Sequence, residues 1–364
     1  MSEVVFLSEE AKNIMKVASI YVATIIGAGF ASGQEILQFF SIYYEGGFYG
    51  IVFAGILFSA IGYLVLDRVY KDRIRSYDEF VFPAFGWLAG WIIEIAVTLF
   101  MLCLFCIMIA GSGRVLTEKL GIPQAFSALI MCFLSMVFIL TSIKGIVALS
   151  TFVTPILVTG ILFAGFYIIT CRDTSVFNAA AYFKNATDNW FFSALIYVSY
   201  NSLMSIVVMS SLLPYLKTKR TGRIGGVLGG VLLCIVAFIL NSALYFYNPA
   251  FVENELPVLG ILGDYSNILS ALYAVILWLA MLLSSVTSGF CFVDRVSSKI
   301  KINRPVMTVI MCAAAVPVST LGFSNLIGGI YPIFGYIGLF MVFSILISGL
   351  RLIPAGLAGI RRKK

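Results

Sequence analysis

Gly27-Ala28-Gly29, followed by Ser32, Gln34 and Glu35, is the first stretch of the chain whose residue types could do chemistry. Each glycine is about 1 kcal/mol worse than alanine inside a helix, so two within one turn invite a break in the run that carries them. A break frees backbone amides that suit an anionic group and carbonyls that suit a cation. A second polar cluster, Tyr197-Val198-Ser199-Tyr200-Asn201-Ser202, interrupts another apolar run. A third, Ser284-Ser285-Val286-Thr287-Ser288, sets four hydroxyls within five residues, the oxygen-only chemistry a hard cation takes.

Each cluster also has a plainer reading. Gly29 and Gly33 have the small-xxx-small spacing of close helix packing. Serine and threonine hydroxyls commonly bond back to the carbonyl four residues earlier. Two carboxylates, Glu35 and Glu94, lie in apolar runs, where an acid costs ~2.5–3.5 kcal/mol to insert. Each is a candidate gate or proton-coupling group, or a protonated structural donor, and no Lys or Arg is expected deep enough to pair with it.

The elements that must position these residues are membrane helices. Of 364 residues, 61% are hydrophobic and 11% charged, far from the balance of a water-soluble domain. Ten apolar runs of the ~20 residues that cross a bilayer are expected near 13–42, 47–67, 87–111, 123–142, 145–170, 189–213, 224–247, 267–293, 305–323 and 326–350. The alternating pattern of a membrane β-barrel is absent. With the N-terminus inside, 20 of the 24 Lys and Arg fall on the inner side, so both termini are expected in the cytoplasm and the +7 net charge reads as topology, not nucleic-acid binding. Zero histidines exclude histidine bases, His-ligated zinc or haem and Ser-His dyads, and the seven scattered cysteines read as small buried hydrophobes.

Ten spans divide into two five-helix halves, 1–171 and 189–352, joined by an outer loop at 172–188 and followed by a basic cytoplasmic tail at 353–364. An odd number per half inverts the second relative to the first. Interruptions in spans one and six then occupy matching positions, the pattern of a transporter binding site. The expected fold is therefore all-α, with spans one and six discontinuous, and Gly27, Ala28, Gly29, Phe30, Tyr197, Ser199, Tyr200, Asn201 and Ser202 are the candidate substrate-binding residues. The Gly222–Gly230 cluster is expected to pack the seventh helix.

The stretch Ile26-Gly27-Ala28-Gly29-Phe30-Ala31-Ser32-Gly33-Gln34-Glu35 resembles the signature of the YkvI-type bacterial membrane proteins, which are allied to the amino acid–polyamine–cation transporters of LeuT-type fold. The resemblance covers essentially the whole chain. It implies that the Ala28 and Gly29 amides meet a substrate carboxylate or its equivalent, with Gly29 bare so that a ligand can approach. It also implies a sodium position made by the Ala23, Ile26 and Ser284 carbonyls and the Thr287 and Ser288 hydroxyls. Phe30 stands where symporters with a second sodium carry Asn, which argues against a second sodium. The fifth span lacks the lysine with which proton-coupled relatives replace sodium.

The expected activity is secondary transport of a small polar organic solute, amino-acid-like in the resemblance, coupled to sodium across the cell membrane. Proton coupling in the same fold and a non-transporting receptor or scaffold are the alternatives. The sequence carries no P-loop, no channel filter and no protease dyad, so neither ATP-driven transport nor enzyme chemistry is expected of the chain. No cofactor beyond the coupling ion is called for, and the partners are the solute and the lipid bilayer. The residues leave oligomeric state open.

Overall fold

A computed structural model describes residues 2–141, 143–171, 189–245 and 255–350. The expected loop at 172–188 and tail at 353–364 lie outside the described residues. Every regular element described is helical. The first half comprises α1 (Ser2–Ile25), α2 (Ala28–Ala31), α3 (Gln34–Phe39), α4 (Glu45–Asp72), α5 (Tyr77–Leu120), α6 (Gln124–Thr141) and α7 (Ile143–Cys171). The second comprises α8 (Trp190–Ser210), α9 (Lys219–Tyr245), α10 (Pro257–Tyr265), α11 (Asn267–Ile300), α12 (Arg304–Ser319) and α13 (Phe323–Leu350).

Seven of these helices, α4, α5, α7, α8, α9, α11 and α13, are long and apolar enough to cross a membrane. The other expected spans correspond to the interrupted series α1–α3 and to the shorter apolar helices α6 and α12. Two boundaries differ from expectation with consequences for the site. Helix α5 starts at Tyr77 instead of 87, capped by Ser76 Oγ accepting from the Glu79 amide while Glu79 Oε2 accepts from the Arg75 amide. It kinks at Gly86, whose φ of +77° only glycine adopts without strain. Helix α11 continues past 293 to Ile300 and carries Arg295 and Lys299 with it.

Packing divides the helices into two groups. Helices α1, α4, α8 and α9 pack on one another, as do α5, α6, α11 and α12, while α13 touches both α8 and α5. Glycine stripes on α9 explain the first group. Gly222, Gly226 and Gly230 face α4, and a Cβ at Gly226 would meet the backbone of Gly62 and Tyr63. Gly225 and Gly229 face α1, where they meet Val17 and Tyr21. Ion pairs reinforce each group internally. Asp67 on α4 accepts from Arg223 Nε on α9 at 2.7 Å and from Lys71 Nζ at 2.6 Å. Glu94 on α5 accepts from Arg295 Nη1 and Lys299 Nζ on α11, both at 2.8 Å.

Candidate functional site

The backbone leaves the helix after Ile25. The Gly27 amide bonds the Ile25 carbonyl at 2.9 Å, and Gly27 is extended at φ −101° and ψ −168°. Helix α2 then makes a single turn before Ser32 and the left-handed Gly33, at φ +83°, turn the chain into α3. The N-cap residues Gly27 and Gly33 have no side chain to offer, and Ser32 Oγ accepts from the Gln34 amide at 3.2 Å. Neighbouring elements also hold the interruption. Tyr273 Oη of α11 donates to the Ala31 carbonyl at 2.6 Å, the Val258 amide of α10 donates to the Ser32 carbonyl at 3.1 Å, and Gln34 Nε2 donates to Ser324 Oγ of α13 at 2.6 Å.

The sixth span departs from expectation. Helix α8 runs unbroken from Trp190 to Ser210, through the whole Tyr197–Ser202 cluster. The physical reason is local: Ser199 Oγ, Asn201 Nδ2 and Ser202 Oγ donate to the carbonyls of Leu195, Tyr197 and Val198, each four residues back. Their polarity is satisfied inside the helix, so nothing forces it open. Close packing holds the same segment, because a Cβ at Gly338 of α13 would collide with the Ser199 carbonyl.

Of the α8 candidates, Tyr200 and Tyr197 reach the interruption. Tyr200 Oη donates to Glu35 Oε2 at 2.8 Å, and Tyr331 of α13 packs its ring against Tyr200 beside the same carboxylate. Glu35 is 4% exposed and leans over Gly29, so that a Cβ there would collide with its carboxylate. The space expected above Gly29 for a ligand is therefore filled by the chain's own acid. Rings surround Tyr200: Tyr331 at 4.5 Å between centroids, Tyr197 and Phe39 each at 5.5 Å and Phe100 at 6.2 Å. Phe30 and Tyr197 also line a small apolar cavity with Phe40, Phe58, Leu233 and Cys234. Ala28, Gly29 and Phe30 are buried, while Ser199, Asn201 and Ser202 are turned to their own helix.

At the expected cation position, Gly27 packs against α11, where its Cβ would stand 3.4 Å from Ser284 Oγ. Thr287 Oγ1 donates to the Leu283 carbonyl at 2.8 Å and Ser288 Oγ to the Ser284 carbonyl at 2.7 Å. Each hydroxyl thus spends its one proton within α11 and keeps acceptor lone pairs. Ala23 is half-buried and Ile26 buried beside the break. Glu94 belongs elsewhere. The expectation that no cation could reach it fails because α11 extends seven residues beyond its predicted end, to Ile300, and delivers Arg295 and Lys299. Its two ion pairs join α5 to α11.

Sequence reasoning missed Tyr331, Phe100, Phe39 and Tyr273. A tyrosine hydroxyl in mid-span was the available signal for Tyr331 and Tyr273. The phenylalanines carried none.

An interrupted first helix, held between α11, α10 and α13 and facing an intact α8, sits in the LeuT-type transporter fold. Three solved structures share it: a manganese transporter of Eremococcus coleocola (14% identity, TM-score 0.63, 94% of this chain and 80% of that one), the inward-facing form of Mhp1 (13%, 0.61, 93% and 77%), and a Na+-coupled sialic acid symporter (15%, 0.59, 91% and 78%). In sequence the chain is homologous to two Bacillus subtilis (strain 168) proteins. These are the uncharacterized membrane protein YkvI, 27% identical over 338 residues (91% of this chain, 94% of YkvI), and the uncharacterized protein YyaD, 26% identical over 334 residues (92% and 96%). No family model matches the chain.

Proposed function

We propose that this membrane protein is a secondary active transporter that moves a small polar organic solute by alternating access, coupled to sodium. In this reading ten crossings form two inverted five-helix halves, 1–171 and 189–352, with both termini in the cytoplasm of a cell whose plasma membrane it spans. The observation that carries it is the interrupted first helix set against the hydroxyl run of α11, with Gly27 against Ser284 and Tyr273 bonded to the Ala31 carbonyl. Carbonyls freed at Ala23 and Ile26, the Ser284 carbonyl and the Thr287 and Ser288 oxygens would together supply a hard cation with the ligands it takes. The manganese transporter and the sodium-coupled sialic acid symporter, proteins of the same fold, support ion-linked transport as the activity.

Uptake into proteoliposomes under an imposed sodium gradient tests the proposal. Concentrative, sodium-dependent uptake that disappears in Thr287→Ala/Ser288→Ala is the expected result. A second reading, proton coupling, is favoured by one observation: Glu35 is buried among hydroxyls without a Lys or Arg partner among the described residues. Uptake that follows a pH gradient without sodium and fails in Glu35→Gln would establish the second reading over the first.

A further inference from the structure

Three carboxylates are buried among the described residues, and two of them show how this chain satisfies such a group. Asp67, 3% exposed, binds Arg223 and Lys71, and the Arg223 guanidinium lies 5.0 Å from the Tyr63 ring centroid. Glu94, 3% exposed, binds Arg295 and Lys299, which lie 4.8 Å from the Tyr77 ring and 4.7 Å from the Trp91 ring. Each acid thus meets cations, and some of those cations also rest on aromatic faces. Glu35 has the acid, and the Tyr200 ring that bonds it is packed by the rings of Tyr331, Tyr197, Phe39 and Phe100, but neither Lys nor Arg pairs with Glu35 among the described residues. The Tyr200 hydroxyl stands where the cation would be.

We infer that Glu35 and its ring of aromatic side chains form the binding site for the charged end of a small organic cation, an amine or quaternary ammonium, which is the transported solute. The inference rests on the transporter reading above. It deepens that reading by reversing the charge expected at the break. Glu35 lies against Gly29, so an incoming carboxylate would meet a like charge there, whereas an ammonium completes the pair. Aromatic faces favour a weakly hydrated organic cation over a metal ion, which prefers oxygen ligands. The hydroxyl run at α11 remains available to the coupling ion.

The test uses the full chain in lipid nanodiscs, with calorimetric binding of choline, putrescine, glutarate and 3,3-dimethylbutan-1-ol, the uncharged isostere of choline. Choline or putrescine is expected to bind, with the isostere and glutarate weaker by about tenfold or more. Glu35→Gln should lower the cation's affinity by a similar factor. Phe39→Leu keeps the carboxylate and removes one ring face, so it should weaken the cation more than the isostere and provides the reading if Glu35→Gln does not fold. Equal binding of choline and its isostere, unchanged affinity in folded Glu35→Gln, or no cation binding to the folded wild type would each overturn the inference. Counterflow in proteoliposomes separates the two levels. A cation that binds through Glu35 but is not exchanged removes the transporter reading and leaves the cation site standing. Normal exchange of an uncharged or anionic solute by Glu35→Gln removes the cation site and leaves the transporter.

Discussion

Glu35 and Glu94 look alike along the sequence, each an acid in an apolar run, and their surroundings make them opposites. Glu94 holds Arg295, itself only 16% exposed on its side chain, so Glu94→Gln strands a guanidinium in an apolar setting. The expected cost is toward the lower end of ~3–5 kcal/mol, because Lys299 can turn to water. A thermal melt in detergent reads it, and sodium dependence of uptake should be unchanged. Gly29→Ala tests the other acid. Its new methyl would occupy the place of the Glu35 carboxylate and force it away from Tyr200, so solute affinity should fall while the helices still assemble. Retained affinity with a shifted Glu35 would mean that the acid does not touch the solute. The sequence could not separate the two acids because the partners of Glu94 come from more than 200 positions along the chain, Arg295 and Lys299, on a helix end that hydropathy alone places too early.

Helices were legible where the signal lies in the backbone and obscure where it lies in side-chain bonding. Gly27 and Gly33 do open the first helix, since an extended residue and a left-handed one cannot continue it. The Tyr197–Ser202 run is just as polar, yet α8 stays intact because back-bonding to the preceding turn makes polarity compatible with helix. The same bonding makes a prediction for α11. Thr287→Ala/Ser288→Ala removes only hydroxyls bonded within their own helix, so stability should change by no more than about 1 kcal/mol while the sodium response is lost. A melt shifted as far as that of Glu94→Gln would point to a packing role instead. On α9, Gly226→Leu would drive a side chain into the Gly62 backbone, where no flexible group can give way. Loss of the folded monomer peak on size exclusion is expected, and Val227→Leu, one position round the helix and 39% exposed, should be tolerated.

For the molecule as a whole, the proposed topology places both termini on one side and the outer loop on the other. Single cysteines introduced at positions 10 and 220 should be labelled by an impermeant maleimide only in inverted vesicles, and one at 120 only in intact cells. Reversal at all three sites would overturn the orientation alone, and reversal at one or two of them would undo the inverted-repeat reading. Hydropathy made the helical class legible, and the proposed orientation rests on the count of basic residues. What it left hidden is which helix touches which, because the two groups draw members from both halves of the chain: α1 and α4 join α8 and α9, and α5 and α6 join α11 and α12.

That interleaving has a consequence for how the protein is made. The glycine face of α9 that receives Gly62 is synthesised more than 150 residues after Gly62, and Arg223 follows its partner Asp67 by a similar interval. Until α9 is made, α4 lacks the partner for its Gly62 face, and Asp67 has only Lys71 of its own helix to pair with. In the nascent chain that face of α4 therefore stays uncovered until the second half arrives to close it.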